Sequence, residues 1–142
     1  MYDRIIDTNR LIRQFRRLAP YASKTIQDAI RSAEHLISLL ETDAILSPIE
    51  IEMIAGVVDR HEMTLTEAFL GRFRIVEERK ILPRDWEEAR RIAKHVGPDS
   101  ARRQLGDCLI SAIADRLHYE VLTSDRNMIR QQGRTRRRKP RP

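Results

Sequence analysis

The stretch "RIID" at residues 4–7 is a short apolar run that stops on an acid, and its form returns at "AILS" (residues 44–47) and in "EVLTSD" (residues 120–125). Short runs of this kind, rich in isoleucine and valine, read as strands. Between them the period is helical. In "ASKTIQDAIRSAEHLISLLE", Ile26, Ala29, Ile30, Ala33, Ile37 and Leu40 fall at i, i+3, i+4, i+7, i+11 and i+14, which is one apolar stripe. Further helices are expected over residues 11–18, 51–60, 65–78, 86–96 and 101–117. Thr64 with Glu67, and Asp85 with Glu88, are spaced as a helix cap and its third-residue partner. Gly97-Pro98 closes the helix that Trp86 begins, and Trp86 reads as a packing residue heading a stripe with Ala89, Ala93 and Val96.

Short apolar strands separated by long helices predict a parallel sheet covered on both faces, a three-layer α/β/α sandwich in the α/β class. The 142 residues, 41% of them apolar, suffice for one such domain, expected over residues 1–130. The longest apolar run, "MIAGVV", is far shorter than the roughly 20 residues of a membrane span, so a soluble protein without a membrane partner is expected. The single cysteine, Cys108, excludes an internal disulfide framework and fits a cytoplasmic setting; it reads as a small packing residue.

The net charge of +6 is localised. The stretch "GRTRRRKPRP" from Gly133 onward carries six basic residues and no acid, and removing them from the total of 27 leaves 21, equal to the 21 acids of the body. Residues 131–142 are therefore read as a basic tail without the apolar content for a core. Two readings stay open for it: loose phosphate attraction, or a solubilising end.

Ligand sites of open parallel sheets gather at the carboxyl ends of the strands. Asp7 follows the first expected strand and Asp125 the last; Glu52 comes shortly after "AILS", and Asp107 lies near the start of the last helix. An acid after a strand is often an ordinary turn or capping residue. Four carboxylates converging on one sheet edge would repel one another unless a divalent cation lay between them. All-oxygen ligands select Mg²⁺ or Mn²⁺ over zinc, and water on such an ion can attack a phosphodiester, which points to hydrolysis of a nucleic-acid backbone.

In these same residues, "IIDTNRLI", "LSPIEIEMIAG", "GDCLISAIA" and "EVLTSD", the chain resembles the four sequence blocks of PIN-domain ribonucleases, in order and with spacing similar to the toxins of VapBC-type toxin–antitoxin pairs. The resemblance implies a PIN-like α/β/α sandwich and a Mg²⁺- or Mn²⁺-dependent endoribonuclease acting on RNA, often dimeric and often held inactive by a small antitoxin. It implies Asp7, Glu52, Asp107 and Asp125 as catalytic and metal-site acids, with Thr8, Asn9 and Thr123 as supporting polar neighbours; capping is the other role open to those three. Glu52 stands four residues before Gly56, as in the family's E-x-x-x-G block, while Glu50 remains an alternative. Arg10 departs from the family's usual apolar residue, and "RNMIRQQ" after Asp125 lacks the further apolar strand of many relatives.

Arg10, Arg13 and Arg17 fall at i, i+3 and i+7, opposite Leu11, Phe15 and Leu18 on the first helix. That basic face, like Arg102 and Arg103, is either an RNA-backbone contact or solvated surface. The four histidines show no metal-ligand spacing, and no Gly-rich phosphate loop is present. The rival to the nuclease is a non-catalytic nucleic-acid-binding or interaction module that uses the arginine faces and the tail.

Overall fold

The computed structural model describes residues 3–95 and 105–122. Among these the elements run β1 (Asp3–Ile6), α1 (Thr8–Arg16), a 3-10 turn (Tyr21–Ser23), α2 (Ile26–Leu40), β2 (Ala44–Ile45), α3 (Ser47–Ala55), α4 (Arg60–Leu70), β3 (Arg74–Ile75), α5 (Pro83–Lys94), α6 (Leu105–Arg116) and β4 (Tyr119–Leu122). The sheet order is β3-β2-β1-β4 with every pairing parallel.

Burial explains the layering. Successive strand residues point to opposite faces, yet Ile5 and Ile6 are both fully buried, as are Ala44 and Ile45. Both faces of β1 and β2 are therefore covered, as a parallel sheet requires. Helices α1 to α4 pack on one another, α5 packs on α6, and the result is a PIN-like three-layer α/β/α sandwich. Phe69, Leu65, Leu11, Ile49, Ile110 and Ile113 fill the space between helices and sheet.

Strand β3 corrects the sequence reading, which ran a helix through residues 65–78. Helix α4 begins earlier, at Arg60, and stops at Gly71, whose N–H closes on Glu67 O at 2.9 Å. The chain then pairs with β2: Arg74 N donates to Asp43 O at 2.7 Å and Val76 N to Ile45 O at 3.1 Å. A strand of two residues is too short to show a period.

Several start signals also shift. Asp59, not Thr64, caps α4 by accepting from Glu62 N at 2.8 Å, and Thr64 lies inside the helix with its hydroxyl on Arg60 O. Asp85 is not the cap residue of α5; it sits in the first turn and accepts from Leu82 N at 2.8 Å, with Pro83 opening the helix. The buried stripe of α5 is Asp85, Ala89 and Ile92, so Trp86 and Ala93 lie on the exposed side, contrary to expectation. Helix α3 starts at Ser47, ahead of the expected residue 51, because Pro48 suits a first turn. In α2 the Thr25–Asp28 capping box fixes the start, Ala29, Ala33 and Leu36 are buried, and Ile26 is exposed. Cys108 is buried, and no helix among the described residues is long and apolar enough to cross a membrane.

Candidate active site

Strand β1 ends at Ile6, and the next residue is held by the neighbouring strand: Asp7 N donates to Leu122 O, the last residue of β4, at 3.1 Å. Asp7 has extended backbone and occupies the cap position of α1, where its carbonyl oxygen accepts from Arg10 N and Leu11 N. Its side chain makes no capping hydrogen bond, although the residue is only 1% exposed. The capping role therefore does not explain why an acid stands here.

The charge of the Asp7 side chain reaches another acid. Helix α3 packs across α1 and brings Glu52 towards it. The Glu52 carboxyl is pushed above the ordinary glutamate range chiefly by burial, which the Thr8 hydroxyl opposes and to which the charge of Asp7 adds a smaller push. Thr8 is itself buried, and among the described residues neither Thr8 Oγ1 nor Glu52 Oε1 has a partner of hydrogen-bonding geometry.

Glu52 also lies against α6. A β-carbon at Gly106 would sit 1.8 Å from Glu52 Oε1, so only glycine leaves room for this carboxylate, and the next residue is Asp107. That contact ties α3 to the first turn of the helix that carries the third acid. Asp107 is partly exposed there. Among the described residues no three acidic, histidine or cysteine side chains meet as a ready-made metal-ligand group. Asp125 and Thr123 lie outside the described residues, as do Arg102, Arg103, Gly97, Pro98 and the basic tail.

Glu50 is turned elsewhere. It accepts a two-pronged contact from Arg79, Nη1 at 2.8 Å and Nη2 at 3.2 Å. Two residues on a helix differ by about 200° in direction, so when Glu52 faces Asp7, Glu50 must face outward towards that arginine.

One residue that sequence reasoning missed controls where α3 points. Glu77, just after β3, is 4% exposed and accepts from Ser47 N at 2.7 Å and Ser47 Oγ at 2.5 Å. It thereby satisfies the open amino end of α3, the helix that bears Glu52. An acid two residues beyond a missed strand gave no sequence signal; Gly106, beside Asp107 in the quoted "GDCLISAIA", stood in view without a role.

On α1, Leu11, Phe15 and Leu18 are buried while Arg13 and Arg17 are exposed and Arg10 is half-buried, so the basic and apolar residues do separate onto different sides. Asn9 is exposed at the start of the same helix. His61 is structural: its Nε2 lies 3.0 Å from both Tyr21 O and Lys24 O.

The donor set suits a hard divalent cation. The ligating atoms on offer are carboxylate oxygens, Glu52 is partly buried within reach of the Asp7 charge, and among the described residues its enclosed Oε1 has no partner of hydrogen-bonding geometry. No curated protein and no solved structure matches the chain. The PIN domain family matches residues 4–133, from the first residues of β1 through every described element. The chain thus belongs to the PIN domain family, whose members are generally nucleases, commonly metal-dependent.

Proposed function

We propose that this protein is a Mg²⁺- or Mn²⁺-dependent endoribonuclease that hydrolyses RNA phosphodiester bonds, with Asp7, Glu52, Asp107 and Asp125 as the metal-holding acids. The observation that carries this reading is the Asp7–Glu52 juxtaposition: two carboxylates at a strand end, one nearly fully buried and the other raised in pKa partly by its neighbour's charge. Groups arranged against their own stability are characteristic of sites that bind or react. A bound divalent ion supplies neutralising charge for the phosphate and a water of lowered pKa.

The protein's own residues do the rest. Asp7 and Glu52 fix one side of the site from β1 and α3, and Asp107 approaches from α6 beside Gly106. Thr8 orients the Glu52 carboxylate, and Asn9 and Thr123 serve the neighbouring positions. Arg10, Arg13 and Arg17 on α1, the helix that starts at Asp7, offer phosphate contacts that position the strand without reading its bases. The biological setting proposed is that of a cytoplasmic toxin, controlled by a small antitoxin and acting as a homodimer.

The test is cleavage of labelled RNA by wild type and by Asp107→Asn, each with Mn²⁺ and with EDTA. Cleavage by wild type with Mn²⁺ alone, lost in the variant, supports the reading. Unchanged cleavage in the variant sinks it. A folded wild type that binds RNA but never cuts it is the behaviour of the binding module, whose contacts would be the arginine faces and the basic tail.

A further inference from the structure

Helix α5 turns an aromatic ring to solvent. Trp86 is 48% exposed and takes part in no ring contact among the described residues, where Phe15, Tyr21, Phe69 and Phe73 make those contacts. On the same helix Arg91 pairs with Glu88, and Asp85 pairs with Arg116. Arg84, Arg90 and Lys94 are exposed and have no ion pair among the described residues, against one exposed acid of the helix, Glu87. Trp86, Arg90 and Lys94 follow one another at intervals of four residues. They therefore climb one side of successive helical turns, a strip about 12 Å long.

The strip leads towards the acids. Asp85, in the first turn of α5, meets Arg116, the last residue of α6, while Glu88 and Arg91 line one groove with Ala112. As the chain advances along α5 its partners retreat along α6, so the two helices are antiparallel, and each has 12 residues. Lys94, at the far end of α5, thus comes level with the first turn of α6, which carries Gly106 and Asp107.

Resting on the ribonuclease reading, we infer that the outer side of α5 binds single-stranded RNA beside the cleavage site. Trp86 is the stacking platform for an unpaired base, and Arg90 and Lys94 are phosphate contacts that guide the strand towards Asp107. Charge and ring together favour this occupant: a base offers a face to the indole, and its phosphates neutralise the free cations. An apolar protein face would cover the ring but leave those cations buried and unpaired, which is costly. A duplex is disfavoured because its bases are stacked on each other, with their faces closed to the ring. The strip reads no sequence, since every base has a stacking face and phosphate contacts position without specifying.

Trp86 is the single tryptophan of the chain, so its emission reports this place alone. The experiment titrates the full chain with oligo(rU) in EDTA, following tryptophan emission, beside labelled oligo(rU) followed by anisotropy. EDTA prevents cleavage, and the strip itself calls for no metal. Oligo(rU) should quench the emission over the same concentrations at which anisotropy rises, while an RNA duplex and poly-glutamate leave it unchanged. Trp86→Ala should weaken binding about tenfold, within the range of one stacked base, and in cleavage with Mn²⁺ the loss should fall more on KM than on kcat. Arg90→Gln and Lys94→Gln should each reduce the slope of log affinity against log salt by about 0.7. Binding without quenching puts the RNA elsewhere and overturns the inference. So do no binding at all, equal quenching by the duplex, quenching by poly-glutamate, or a Trp86→Ala variant that binds as tightly as wild type. Quenching by oligo(rU) in a protein that never cuts RNA with Mn²⁺ keeps the strip and rejects the ribonuclease reading; cleavage without quenching rejects the strip alone.

Discussion

Asp7 and Asp85 are equally buried, each 1% exposed, and one adds its charge to another acid while the other is bound by an arginine. Between α5 and α6, Asp85 receives Arg116 Nε at 2.7 Å, Arg116 Nη2 at 2.9 Å and Leu82 N at 2.8 Å. That carboxylate is matched by a fork of guanidinium donors and a backbone N–H, which makes it part of the helix-to-helix joint. Near the end of β1, burial raises the pKa of Glu52, and the charge of Asp7 adds to that rise instead of offsetting it. Burial alone does not separate a structural acid from a functional one; the sign of what faces it does.

Breaking the two arrangements should have opposite consequences. Asp7→Asn should reduce RNA cleavage by at least about a thousandfold, roughly 4 kcal/mol of barrier, while its melting temperature stays at or above that of wild type. Arg116→Met should do the reverse: removing one partner of a buried pair costs about 3–5 kcal/mol, seen as a lower urea midpoint, and pairing it with Asp85→Leu should recover much of that loss. A drop in stability for Asp7→Asn as large as that of Arg116→Met would erase the distinction.

Gly106→Ala sharpens the same comparison. Because the added carbon would meet the flexible end of Glu52 and not backbone, the carboxylate must swing aside, with little effect on stability. Displacement of a site group by about an ångström can cost on the order of a hundredfold in rate, which single-turnover cleavage would measure.

The smallest effect is in pH dependence, measured in EDTA. The Glu52 pKa is raised in the folded state above its ordinary 4.5. Between 4.5 and that raised value the folded state binds more protons than the unfolded one, so stability falls as pH rises through this window and then levels off. Glu52→Gln should lack this decline in urea midpoint between weakly acidic and neutral pH. A decline of the same size in the variant would assign it to other groups.

Much of the architecture was written in local periodicity. The runs at "RIID" and "AILS" and the stripe of α2 are visible within a few residues of chain, and they appear as β1, β2 and α2 with small shifts at their ends. Trp86 misled because a periodic pattern is satisfied by more than one helical phase, and packing of α5 on α6 through Asp85 and Ala89 selected the phase that leaves Trp86 outside; Thr64 misled because Asp59 and Glu62 offer the same cap spacing five residues earlier, and that is where α4 starts. Strand β3 offers two residues and acquires its identity solely from the hydrogen bonds of β2.

The sequence by itself determined the class of fold, the places where acids follow strands and the side of α1 that carries arginines, because these depend on neighbours along the chain. Only the tertiary structure decided what those acids face. Glu50 meets Arg79 across 29 positions of sequence and Asp85 meets Arg116 across 31, while Glu52 is turned to Asp7 and seated on Gly106. Coulomb energies and exclusion of a β-carbon act over ångströms in space, and distances of that kind exist only once the helices have packed.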